Sequence, residues 1–468
     1  MNSTLKSMLI AAAAITSVSA FAQDKATLDL LVKKGLITAE ERAKTLDEAA
    51  KARAASGLNK IFAKEDNAKR LTFAGRVQTQ WESIGYSETT ASGTTNFTDV
   101  NNVLMRRAYL GFKADIGEGI SAELVYNFAD NSDAVATGSS TSTSTVGGGG
   151  SGTVTTTTTT TVSPTVRAGA FDKVIFTHDS SLGKFDLGYQ KVQWGLEENT
   201  SSSKLYTVER SLVTRYWAEA ENGRRLGFGA RHVGLHYSNK LALDAAGTLE
   251  YGAALVNAKQ GYNATGINDF GTYVNVAYTY KITDTNRHTA GVNWGQTADV
   301  SASNALTSFG GSIDKMSGFN PYFKSQFDKL VIQGEMQTTN IDQKSATTAS
   351  IGGVERDPTG YNLIVAYKIT DAIEAVARYS VLDTDGKGIK VGDGFRDSQS
   401  GATYNKANSY YVGVNYYFVD HNAKICFGYE KGQLKGVIGS YAADGSPNLT
   451  SGTKADADVF RLQAQVLF

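Results

Sequence analysis

The sequence predicts an all-β fold, a transmembrane antiparallel up-and-down β-barrel of about 16 strands preceded by a short N-terminal helical segment. Three observations predict it. From Arg70 onward apolar and polar residues alternate with period two, the spacing that sends successive side chains to opposite faces of a strand. The connections between these runs are alternately short and long, as a membrane barrel with tight turns at one rim and long loops at the other requires. Composition agrees: 48 Gly, 23 Tyr and 20 Phe against 4 Pro in 468 residues favour strands and turns. A mean hydropathy of −0.26 excludes a bundle of membrane helices. It leaves room for a barrel, half of whose wall residues face water.

Residues 1–22 read as a secretory leader, with Lys6 as its positive end, Met8 to Val18 as the apolar stretch and Ala20-Phe21-Ala22 as a small-x-small site cut after Ala22. The stretch is too short to span a bilayer as a helix. Gln23, next after the cut, offers no lipid-acceptor cysteine. Export past the inner membrane, to the outer membrane of a diderm bacterium, follows as the expected destination. Residues 23–69 form a second region, within which 24–56 are rich in Ala, Leu, Lys and Glu. Leu28, Leu31 and Val32 share a helical face that Gly35 can end. Thr38-Ala39-Glu40-Glu41 is a capping box, followed by Ala43, Leu46, Ala50 and Ala54 at helical spacing. Either this is a periplasmic module for trimer or cell-wall contact, or it is a solvated spacer. The run is shorter than the three or four heptads a coiled coil needs.

Residues 70–468 are the barrel region. The alternating runs fall near 71–82, 103–114, 120–129, 165–178, 183–193, 225–237, 247–258, 270–281, 288–296, 318–327, 330–338, 359–369, 373–382, 407–418, 423–432 and 456–468. In the first, Leu71, Phe73, Val77 and Trp81 share one parity, while Arg76, Gln78, Gln80 and Glu82 share the other. The last places Phe460, Leu462, Val466 and a terminal Phe468 opposite Arg461, Gln463 and Gln465. Two runs break the alternation. Asp172 sits on an apolar parity, and 225–237 must change parity between Ala230 and Val233; a β-bulge or a displaced boundary would resolve each.

Several of these stretches resemble one family. Leu28 to Thr38, Arg70 to Gln78, Arg106 to Lys113, and above all Gly188-Tyr189-Gln190-Lys191-Val192-Gln193-Trp194-Gly195-Leu196-Glu197-Glu198 with Glu209-Arg210-Ser211-Leu212, resemble the phosphate-selective porin O and P family. Where that family has Pro followed by Phe, this chain has Gln193-Trp194. The resemblance implies a homotrimeric 16-stranded barrel, embedded in outer-membrane lipid and lipopolysaccharide, whose third external loop folds inward. In this chain that loop is 194–224.

A loop that narrows a lumen concentrates fixed charge where an ion sheds hydration. Arg210, Arg215, Arg224 and Arg225, with Lys204 and Glu209, are the candidate anion constriction. The competing reading makes Glu209 and Arg210 a salt bridge that merely folds the loop. On wall parity, Arg76, Arg107, Lys113, Lys184 and Arg231 lead a set of inward cations more numerous than the inward acids. Passive diffusion of small hydrated solutes, with inorganic anions preferred and phosphate among them, is the expected function. A general or sugar-type channel and a structural envelope tether or adhesin are the alternatives.

Other signals point away from catalysis and cofactors. The 46 basic and 46 acidic side chains lack the surplus that nucleic acid needs. Cys426, the single cysteine, forbids an intrachain disulfide. Gly147 to Gly150 lacks the Lys and Ser/Thr of a phosphate loop. Asp383-Thr384-Asp385-Gly386-Lys387 puts Lys387 at a calcium-ligand position. The five histidines are scattered, and no Ser, His and Asp set stands in recognisable order. No enzyme, metal or cofactor is expected. The Ser/Thr/Gly-rich stretch within 130–164 reads as an external loop.

Overall fold

The computed structural model describes residues 32–34, 38–40, 70–97, 99–129, 170–219, 225–258, 269–298, 313–343, 355–396, 402–441 and 446–468. The leader, most of 24–56 and the Ser/Thr/Gly-rich stretch lie outside the described residues, although residues 32–33 and 39–40 are helical. By its contacts the chain divides into Met1–Leu71 with Ala114–Gly117, and Thr72–Lys113 with Glu118–Phe468. The second unit carries the lumen.

Its strands are β1 (Arg70–Thr90), β2 (Gly93–Asn96), β3 (Val100–Gly117), β4 (Ile120–Asn127), β5 (Ala170–Ser180), β6 (Gly183–Lys191), β7 (Arg231–Ala242), β8 (Gly247–Asn257) and β9 (Phe270–Lys281). They continue with β10 (Asn286–Ala298), β11 (Ile313–Phe327), β12 (Leu330–Gln343), β13 (Glu355–Arg356), β14 (Thr359–Lys368), β15 (Ile373–Asp383), β16 (Tyr404–Val419), β17 (Ala423–Tyr441) and β18 (Pro447–Leu467). Three short helices interrupt them: α1 (Leu196–Asn199), α2 (Leu212–Ala218) and α3 (Val391–Phe395).

Each long strand pairs with its sequence neighbours, and β1 pairs with both β18 and β3. Since β2 only folds back on β1 and β13 only extends the edge of β12, the closed antiparallel barrel has 16 strands, in the order the alternation predicts. Closure runs from Arg76 opposite Leu467 to Thr89 opposite Lys454. The C-terminal carbonyl of Phe468 accepts from Gly75 N at 2.7 Å.

The two irregular runs resolve differently. Asp172 is the extra residue of a bulge, since Val125 pairs with Lys173 and Tyr126 with Phe171; the bulge releases Asp172 from the parity of its neighbours. The run predicted at 225–237 is corrected: residues 225–230 are turns, bends and irregular chain, and the strand begins at Arg231. No parity change within a strand is needed.

Burial is inverted relative to a water-soluble barrel. Tyr361, Leu363, Tyr367, Tyr410, Val412, Val414, Tyr416 and Phe418 lie exposed on the outer face, Phe418 by 60%. Gln78, Gln80, Gln463, Gln465, Asn415 and Arg461 are buried on the inner one. The inner amides satisfy each other, as in Gln78 Nε2 to Gln465 Oε1 at 2.5 Å and Gln463 Nε2 to Gln80 Oε1 at 2.9 Å. An apolar exterior over a hydrogen-bonded polar interior is stable only where the outside contacts hydrocarbon. Aromatics mark both edges of that band: Tyr280, Phe327, Tyr367 and Phe418 stand near the short turns, and Phe319, Tyr361, Tyr379 and Tyr410 toward the opposite ends.

Candidate functional site in the lumen

The segment after β6 is bound to the inner wall one residue after another. Trp194, fully buried, donates from Nε1 to Gln337 Oε1 at 2.9 Å and meets Phe228 edge-on at 4.6 Å. Gly195, at φ 79°, takes a backbone turn that favours glycine. The N–H groups that open α1 then point at one carboxylate, with Leu196 N and Glu197 N donating to Glu335 at 2.7 and 3.1 Å. These are the donors a helix start leaves without partners. Glu197 accepts from Ser211 N and Oγ, Asn362 and Arg378.

Further along, carbonyls that would be orphaned inside a protein find wall donors. Ser202 O receives Gln78 at 3.4 Å, Ser203 O receives Gln465 at 3.2 Å, Leu205 O receives Lys424 at 2.9 Å and Tyr206 O receives Asn415 at 2.8 Å. Glu209 O receives Arg378 at 2.7 Å. The segment thus lies along the inner side of β12, β14 to β18 and β1. Helix α2, capped by Ser211 Oγ accepting from Thr214 N at 3.1 Å, buries Leu212, Val213, Tyr216 and Trp217 in an apolar cluster with Ile389, Val391, Phe395 and Tyr404.

Against β3 to β7 a cavity of about 980 Å³ remains. Nine cationic side chains line it: Arg76, Arg106, Arg107, Lys173, Lys191, Arg210, Arg225, Arg231 and Arg396. Only Asp172, Glu198 and Glu219 oppose them there, an excess of six positive charges. Two ion-pair groups organise this wall. In one, Glu198 pairs with Lys191 and with Arg210 at 2.9 Å, and Asp172 pairs with Arg231 at 2.5 Å and accepts from Tyr109 at 3.0 Å. In the other, Glu209 pairs with Arg106 at 2.5 Å and Arg396 at 3.2 Å, while Glu219 pairs with Arg215 at 3.2 Å, Arg225 at 2.6 Å and Arg396.

Burial opposes charge on Glu198, Glu209 and Glu219, yet the surrounding guanidinium and ammonium groups win and hold all three below their usual value. Two arginines stand apart. Arg76 stacks over Tyr109 at 4.2 Å, and Arg107, 5% exposed, bonds only to Gln78 Oε1 at 2.8 Å. Neither has a carboxylate partner among the described residues.

The residues singled out by sequence are therefore distributed unevenly. Arg210, Arg225, Arg76, Arg107 and Arg231 line the cavity. Arg215 is buried within α2 behind it, Lys204 is exposed on the segment away from it, and Lys113 and Lys184 lie outside its lining. Arg224 falls outside the described residues. The alternative in which Glu209 and Arg210 pair with each other is also corrected, because each bonds to other partners. Sequence reasoning missed Arg106, whose parity is opposite to that of Arg107, along with Lys191, Glu219 and Arg396. The doubled arginine at 106–107 was the available signal for the first; Arg396 had none, since the calcium-loop-like start of its loop, Asp383 to Lys387, does not bear on it.

The sequence matches the phosphate-selective porin O and P family over residues 78–437, more than three quarters of the chain. The chain belongs to that family. It is an outer-membrane porin, an integral barrel whose lumen is a diffusion path. No curated protein matches it in sequence. Solved structures similar to this porin include an anion-selective porin from Comamonas acidovorans, 13% identical, covering 85% of this chain and 99% of that one with a TM-score of 0.49. The outer membrane channel DcaP of Acinetobacter baumannii is likewise 13% identical, with coverage of 87% and 99% and a TM-score of 0.49. OmpF of Salmonella typhi is 13% identical over 86% of this chain and 99% of that one, at a TM-score of 0.47.

Proposed function

We propose that this porin conducts small inorganic anions passively, through the gap between the 194–219 segment and the inner side of β3 to β7. The observation that carries this reading is the nine-to-three ratio of cationic to anionic side chains around the 980 Å³ cavity. At an effective dielectric constant of about 20, a guanidinium 4 Å from a monovalent anion is worth roughly 4 kcal/mol. Two such groups with no carboxylate ion-pair partner among the described residues, Arg76 and Arg107, offset part of the hydration an anion loses in the narrowed lumen. Segment 194–219 sets the width, and no bond is made or broken.

The test is the zero-current potential of the purified porin in a planar bilayer under a potassium chloride gradient. A sign reporting chloride over potassium supports the reading; equal permeability or cation preference removes it. Block of chloride current by phosphate at millimolar concentration would add phosphate as a preferred solute, as the family's name suggests. The same reading includes assembly as a homotrimer among outer-membrane lipid and lipopolysaccharide, cleavage after Ala22 and cell-wall contact through residues 24–56. Crosslinking, N-terminal sequencing of the mature protein and peptidoglycan pull-down check these in turn.

A further inference from the structure

A second segment also turns into the barrel, between β15 and β16. Asp385 and Gly386, at φ 49° and 83°, reverse the chain. Thr384 Oγ1 donates to Asn405 O at 2.8 Å, and Ile389 bridges to Tyr404. Val391 and Phe395 of α3 then bury in the apolar cluster that also holds Leu212 and Trp217 of α2. The chain leaves α3 through Arg396 at φ 61°, a left-handed conformation few non-glycine residues adopt. Such a conformation persists where the surroundings over-determine it.

What holds Arg396 is a pair of carboxylates from the other inward segment. Its Nε bonds to Glu209 Oε2 at 3.2 Å and its Nη2 to Glu219 Oε1. Glu219 and Arg396 themselves line the cavity. Each carboxylate keeps other cations: Arg106 for Glu209, and Arg215 with Arg225 for Glu219. Loss of Arg396 alone therefore leaves paired carboxylates behind but lowers the positive excess by one and opens Glu219 to the ion path.

We propose that Arg396, brought in by this second inward segment, is a selectivity-determining residue: it supplies one of the cavity's cations and screens Glu209 and Glu219 from the permeating ion. The inference deepens the anion-channel reading and rests on it for its direction. A merely structural strap would hold the two segments together without setting charge, and the two roles separate experimentally.

Zero-current potentials of the full-length porin in planar bilayers decide between them. R396Q should lower the anion-to-cation permeability ratio by about twofold or more. E219Q should raise it, and the double variant R396Q/E219Q, with the parent's net charge, should return close to the parent. K406Q removes an exposed cation paired with Asp383 at 2.7 Å, outside the cavity lining, and should not move the potential. The proposal is overturned if R396Q matches K406Q, or if the double variant stays as displaced as R396Q. Should R396Q fail to assemble, E219Q alone still decides, since a ratio equal to the parent's sinks the inference. A parent without anion preference would remove the anion-channel reading, whereas a shift of R396Q toward cations would still support the role of Arg396.

Discussion

Arg76 and Arg107 face an ion path with no carboxylate ion-pair partner among the described residues, whereas Arg210, Arg225 and Arg231 divide their charge between the path and a neighbouring acid. Unpaired guanidinium groups contribute most to the field an ion meets, because a paired cation is largely cancelled a few ångströms away. Arg107→Gln should thus lower the anion-to-cation permeability ratio roughly two- to fivefold, and Lys113→Gln, on the same parity but outside the cavity lining, should leave it unchanged. Equal effects in bilayer reversal potentials would place the ion path elsewhere. The acids make a second prediction. Glu198, Glu209 and Glu219 are all held below the usual 4.5. A depressed carboxylate stabilises the fold above its unfolded value and loses that contribution only as pH falls through the lower folded one. Neutralisation of these three acids should therefore raise the anion-to-cation permeability ratio only below about pH 4, as reversal potentials taken in acid will report. Parity alone could not have sorted these residues. It gave Lys113 and Arg107 the same standing, and it hid Arg106, because which charge borders the void depends on how a distant loop fills the other side.

At the scale of elements, period two and turn rhythm made the strands legible, since each must alternate for lipid and for water over most of its length. Loops were legible only where a sequence signal marked them. The inward course of loop 194–224 was anticipated through the family resemblance of 188–198 and 209–212, but that of 384–396 was not, because its apolar Ile389, Val391 and Phe395 are too few to show a period. Anchoring of the first segment yields a prediction. Trp194 fills a fully buried site against Phe228 and donates to Gln337. Trp194→Ala should cost roughly 3–5 kcal/mol locally, loosening the segment and raising single-channel conductance while weakening selectivity. A conductance equal to the parent's would show that the segment is held without it. Turn geometry gives another. Gly119 sits at φ 75°, and a Cβ there would lie 1.8 Å from Asp179 O. Gly119→Val should destabilise the barrel by roughly 3 kcal/mol or more, visible as a lower urea midpoint for refolding into detergent.

The whole molecule is organised by which solvent each face meets, and its stability can be tested there independently of any ion. Val414 lies on the outer face of β16, nearly half exposed, midway between Tyr410 and Phe418 at the two edges of the apolar band, whereas Phe418 lies on the same face next to the short turn that follows Val419. In water an arginine at either place would be nearly neutral, because exposed positions tolerate charge. Across a bilayer the two positions differ. A charge near the midplane costs about 2–4 kcal/mol and one near the interface about 0–1 kcal/mol, because the interfacial side chain reaches water by extending its stem. Val414→Arg should therefore lower the denaturant midpoint for folding into lipid vesicles far more than Phe418→Arg, while neither should alter reversal potentials, since both point away from the lumen. Equal midpoints for the two variants would mean that this face does not contact hydrocarbon. The burial pattern that places polar Gln80 and Gln465 inside and Tyr410 and Phe418 outside would then need another solvent to account for it.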